Sequence, residues 1–229
     1  MAKIMLGSLA GAISGGLGND VFSHGRHGYY VRRRVVPTKT MNANTLNVQN
    51  ILTICARYWG LLDPQEQTAW GTWASAHPIT DRLGQKQVLF GAGAYNQLNC
   101  RLLRAGDTAI LTPPTASPPA PLTTLSAVLD ASAHTAILTT APNPLGANNR
   151  LWIEAAIVNS PGVNYMENAF KLIAVSAKNQ ATGYGFGTAL ELRFGTLLTT
   201  EKYQIRVSVM DSTTGLLSGP VTVPGAVVA

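Results

Sequence analysis

The stretch "KYQIRVSVMDSTTGLLSGP", residues 202–220, decides how the second half of this chain is read. Tyr203, Ile205, Val207 and Val209 alternate with Gln204, Arg206 and Ser208. Side chains of a strand point to opposite faces in turn, so this pattern describes a strand with one face in a core. Working outward, "LSAVLDAS", "TAILTTA", "RLWIEAAIV", "AFKLIAVSA", "TALELRFG" and "GPVTVPGAVV" read as six further strands. Seven strands separated by turns in about a hundred residues imply a β-sandwich over residues 122–229.

Upstream lies "TPPTASPPAP", residues 112–121, with five prolines and no charge, a stiff extended linker. Before it, residues 41–111 read as helical. Val48, Ile51, Leu52, Cys55, Trp59 and Leu62 recur at helical spacing and define an apolar stripe. In "DPQEQTAWGTWASAHP", Asp63 is an N-cap, Pro64 suits the first helical position and Glu66 completes a capping box. Trp70 and Trp73 share a face of this second helix, which should pair with the first as an antiparallel hairpin. A third helix runs from about Gly93 to Ala105, with Tyr95, Leu98, Leu102 and Ala105 inward. The chain is thus expected to be α+β. An extended arm over residues 1–40 and a small helical domain precede the linker and an immunoglobulin-like β-sandwich.

The arm contains "SHGRHGYYVRRRVVPTK", residues 23–39, which holds Arg26, Arg32, Arg33, Arg34 and Lys39 and no acid. Its β-branched and aromatic residues favour extended backbone, and Gly25 and Gly28 suggest a hairpin of Asp20–His24 with Tyr29–Val36. Such a hairpin has too little core to stand alone. Tyr29, Val31 and Arg33 share one face, and Tyr30, Arg32 and Arg34 the other. A free surface strand sorts apolar from charged residues, whereas a strand enclosed by partners need not. Arginine offers bidentate bonds and tyrosine offers area at low entropic cost, so Arg26, Tyr29, Tyr30, Arg32, Arg33 and Arg34 are the candidate partner-binding residues.

Charge supports this placement. Of the 229 residues 46% are hydrophobic and only 12% charged, which suits a protein partly covered by neighbouring subunits. The net charge of +6 lies wholly in the first half. Eleven basic and five acidic residues fall before Pro113, and six of each follow. Acidic surroundings are therefore met by the first half. The uncharged run Ile4–Gly18 is too short to span a bilayer, and Gly7 and Gly11 break it as a signal peptide. No membrane partner is expected.

No catalytic set emerges. The chain lacks G-x-S-x-G, H-E-x-x-H and C-x-x-C. His24, His27 and His77 have no carboxylate or cysteine at metal-ligand spacing. The glycines of "GYGFG" lack the strand-to-helix context of a dinucleotide site. "GAGAYNQ" opens a helix but lacks the P-loop lysine. Glu154, Glu167 and Glu191 fall in separate expected strands. Cys55 and Cys100 sit in expected helices and read as buried reduced thiols. No enzyme activity, cofactor or metal is expected.

Two resemblances add to this reading. Trp152 near the third strand, the Pro-rich entry and "LTTEKYQIRVSVMDSTTGLLSGPVTV" as last hairpin resemble a fibronectin type III-like module. Such modules are mostly spacers and binders, which the resemblance implies here. "GAISGGLGNDVFS", "RHGYYVRRRVVPT", a helix with Gln49 and "YWGLLDPQEQTAWGTWA" are similar to a structural type of tailed bacteriophages and prophages. The resemblance implies a non-enzymatic virion protein of capsid, neck or tail. Its arm would dock on other virion subunits and on copies of itself. Nucleic acid, bound through Arg32–Arg34, is the secondary partner candidate. A surface-exposed ligand-binding protein is the third reading.

Overall fold

The computed structural model describes residues 2–3, 14–25, 28–35, 42–80, 84–142, 145–158, 169–199 and 201–228. Among the described residues, four helices and several mainly antiparallel sheets make up a mixed helix-and-strand architecture. The chain divides into two compact units, Met1–Leu46 and Asn47–Ala229.

The first unit carries β1 (Ala2–Lys3), β2 (Gly15–Leu17), β3 (Asp20–Gly25) and β4 (Gly28–Arg33), in the sheet order β1-β4-β3-β2. The basic stretch forms a hairpin in which Asp20 faces Arg33, Phe22 faces Val31 and His24 faces Tyr29. β4 ends earlier than the sequence suggests. Arg34 follows it and donates its N–H to the Asn19 carbonyl at 2.7 Å.

The helices follow, the first turn of α1 (Ala43–Leu61) still belonging to the first unit. α1 starts at Asn42, whose Oδ1 accepts the Thr45 N–H at 2.8 Å. α2 (Pro64–Ala76) starts at Asp63, whose N–H donates to Glu66 Oε2 at 3.1 Å, as the capping-box reading requires. A two-strand ladder, β5 (Ile79–Thr80) with β6 (Lys86–Gln87), leads to α3 (Gly91–Arg104). The close helix pair is α2 with α3. A Cβ on Gly91 would lie 2.9 Å from the Gly71 nitrogen, so glycine allows the two backbones to touch. Trp70, Tyr95, Leu98, Ile51, Cys55 and Leu62 form the core between the helices. Val48 and Leu52, expected in the α1 stripe, are exposed, because only one narrow side of α1 is covered.

The strands follow: β7 (Thr124–Asp130), β8 (Thr135–Ala141), β9 (Asn149–Val158), β10 (Lys171–Val175), β11 (Tyr184–Gly185), β12 (Lys202–Asp211) and β13 (Val221–Val228). Their order is β10-β9-β12-β13-β7-β8-β11. β13 changes partner along its length. Val221–Gly225 pair antiparallel with β12, and Ala226–Val228 pair parallel with β7. Gly225 sits at the change, where a Cβ would meet Leu129 Cδ1 at 2.8 Å. Leu129, Leu138, Leu151, Ile153, Ile205, Val207 and Val209 share one core, so the alternation in β12 reports burial from Tyr203 to Val207, whereas Ser208, expected on the outer face, is buried.

One expected strand is a helix. "TALELRFG" forms α4 (Gly187–Phe194) between β11 and β12. Ala, Leu, Glu and Arg are strong helix formers, and Gly195 closes the helix at φ 97°. A strand would point Leu190 and Leu192 to the same face, yet Leu190 is buried and Leu192 is 87% exposed. That split is the helical periodicity.

Helices and strands of the second unit are tied to one another. Trp70 Nε1 donates to the Leu111 carbonyl at 2.7 Å and Trp73 Nε1 to the Pro114 carbonyl at 3.0 Å, pinning the proline segment on α2. The loop after β12 lays Leu216 into the helical core. Arg101 of α3 donates to the Gly215 carbonyl at 3.3 Å. Asp107, just beyond α3, pairs with Arg150 of β9 at 2.8 Å and with Lys178 at 3.2 Å.

Candidate docking surface

Every residue from 14 to 35 whose burial is described is exposed or half-buried. Tyr29, Tyr30 and Val31 are half-buried, while Arg32, Arg33 and Arg34 are exposed. Tyr29 packs against His24 across the ladder, ring centroids 4.7 Å apart. Val21, Ser23, Tyr30 and Arg32 lie on one face, and Phe22, His24, Tyr29, Val31 and Arg33 on the other. Among the described residues, no ion pair within 4.0 Å holds Arg32, Arg33 or Arg34. Arg26 lies outside the described residues, as do His27 and Lys39.

Three exposed guanidinium groups, two on β4 and one just past its end, can with two half-buried phenols make bidentate bonds to carboxylates or phosphates while the rings bury apolar area. A surface of this kind has affinity for an acidic partner. Leu17 and Val35, 74% and 76% exposed, add apolar area at the strand ends.

The other sites considered from sequence are each taken up locally. His77 Nδ1 contacts the Trp73 carbonyl at 2.9 Å, and its ring stacks on Trp73 at 4.3 Å. Glu154 holds Arg206 at 2.7 Å across β9 and β12. Glu191 lies on α4 and contacts His134 Nδ1 at 2.7 Å. That hydrogen bond, with a second from the Leu197 amide, holds the Glu191 carboxyl below its ordinary range. Glu167 lies outside the described residues. In "GYGFG", Gly187 is a packing position, since a Cβ there would lie 2.8 Å from the Ala136 nitrogen. "GAGAYNQ" opens α3 as expected, with Gly91 set against Gly71. Among the described residues, no group of three or more His, Cys, Asp or Glu side chains could hold a metal ion. No helix among them is long and apolar enough to cross a membrane.

Sequence reasoning placed Cys55 and Cys100 on helices but missed their meeting. Their sulfurs are 3.6 Å apart. The spacing of 45 residues carries no signal of it; only the packing of α1 on α3 does.

No protein-family model and no curated protein matches the chain. Two solved structures show weak similarity. One is a Fn3-like protein from Clostridium thermocellum, 26% identical, with 49% of this chain and 97% of that one covered and a TM-score of 0.31. The other is a family 76 glycoside hydrolase from a bovine Bacteroides thetaiotaomicron strain, 9% identical, covering 47% of this chain and 20% of that one, with a TM-score of 0.33.

Proposed function

We propose that this chain is a non-enzymatic structural protein of a tailed-bacteriophage virion. Its basic arm docks on neighbouring virion subunits, and residues 122–229 project as a fibronectin type III-like β-sandwich. The observation that carries the docking half is the hairpin of residues 20–33. It exposes Arg32 and Arg33, with exposed Arg34 just beyond it, and no hairpin residue whose burial is described is buried. A small sheet without a core gains its stability from what it lies on. The strand order supports the sandwich, with β7, β8 and β11 on one side of β13 and β12, β9 and β10 on the other. The virion assignment rests on the resemblance of residues 11–38 and 58–74 to phage structural proteins.

Mass spectrometry of purified particles tests this reading by asking whether the chain is present and in how many copies. The double variant Arg32→Ala with Arg34→Ala should keep the fold of Asn47–Ala229 and lower the copies per particle about tenfold, as loss of interface arginines does. Normal incorporation would show that the arm is not the grip. The same exposed arginines favour a second reading, phosphate binding on nucleic acid. It predicts DNA affinity that falls steeply with salt. A filter-binding titration without retention at low salt removes it.

A further inference from the structure

We infer that Cys55 and Cys100 form a reversible disulfide that tethers α1 to α3 under peroxide. The pair does not depend on the docking reading. Cys55 on α1 is fully buried, and Cys100 on α3 is half-buried. Their sulfurs stand 3.6 Å apart, so bonding distance, about 2 Å, requires an approach of about 1.5 Å. α1 can supply that approach. Its burial in the helical core is confined to one side, while Val48, Leu52, Ile54, Tyr58 and Leu61 are exposed. The two thiols also differ in character. The hydrogen bond from Cys55 lowers the Cys100 thiol to about 7, while that same contact and burial push Cys55 upward. Cys100 is therefore the accessible thiolate, and Cys55 resolves it.

The chemistry balances with hydrogen peroxide as the oxidant. Cys100 thiolate attacks one peroxide oxygen, the O–O bond breaks, and the departing hydroxide takes up a proton as water. Cys100 is then a sulfenic acid. Cys55 gives up its proton and attacks Cys100 Sγ. The S–O bond breaks, the S–S bond forms, and hydroxide leaves with that proton as a second water. Each sulfur has lost one electron, and peroxide has gained both.

The test uses the full chain treated with hydrogen peroxide, then denatured. Expected are a monomer lighter by two hydrogens, no thiol reacting with an alkylating agent, and a linked Cys55–Cys100 peptide. The melting temperature should rise by about 5–10 °C and return on reduction, since the bond closes a long loop. Cys55→Ala should instead collect oxygen on Cys100 with no such rise. If that variant fails to fold, the wild-type mass and peptide map still decide. Two free thiols after treatment, or a disulfide between chains, overturns the proposal.

Discussion

A Cβ placed on Gly215 would lie 2.7 Å from the carbonyl oxygen of Leu98. The loop after β12 thus meets the α3 backbone with no room for a side chain, and Gly215 adopts φ 72°, which other residues avoid. Gly215→Ala should destabilise the second unit by about 2–4 kcal/mol, combining steric conflict with backbone strain. Gly219→Ala is the control. Gly219 is exposed, with nothing within 4 Å of its added Cβ, and the cost there should stay below about 1 kcal/mol. Urea midpoints of the two variants check the contrast.

A second tie between helices and strands is ionic. Asp107 and Arg150 are 6% and 15% exposed at their side chains. Removing one partner strands the other in a poorly solvated place. Asp107→Ala should cost about 2–4 kcal/mol, and Arg150→Met with Asp107→Leu should recover part of it. Equilibrium unfolding of the two variants measures the loss and the recovery.

Acid should weaken the protein partly through Glu191. Its carboxyl is held below the ordinary value of 4.5 by His134 and by the Leu197 amide. A depressed folded value means the unfolded chain binds the proton more readily. The stabilisation is therefore complete above about pH 5 and is lost as pH falls through the folded value. Glu191→Gln should flatten stability against pH across that acid range. Thermal melts at a series of pH values read this out.

Much of this architecture was legible because single residues carried it. The alternation at Tyr203, Ile205 and Val207 marks β12, and Asp63-Pro64-Glu66 marks the start of α2. Tyr29, Tyr30, Arg32 and Arg33 fall on a hairpin, where the glycines at 25 and 28 suggested one. "TALELRFG" misled because alternating leucines imitate a strand, while helix propensity and Gly195 decided for α4. Leu216 could not be assigned to the helical core from sequence, because the other members of that core, Ile51 to Leu98, lie more than a hundred residues upstream. The Cys55–Cys100 meeting was hidden for the same reason. Local pattern specifies element type; long-range packing is set by shape.

Hydrogen exchange of residues 20–33, compared between the isolated chain and purified particles, addresses the central claim most directly. A hairpin with no buried residue among those whose burial is described opens readily when free and is protected only when another surface covers it. The account predicts rapid exchange in the isolated chain and exchange slowed by orders of magnitude in the particle. Equal protection in both states, or a particle that lacks the chain, would contradict it.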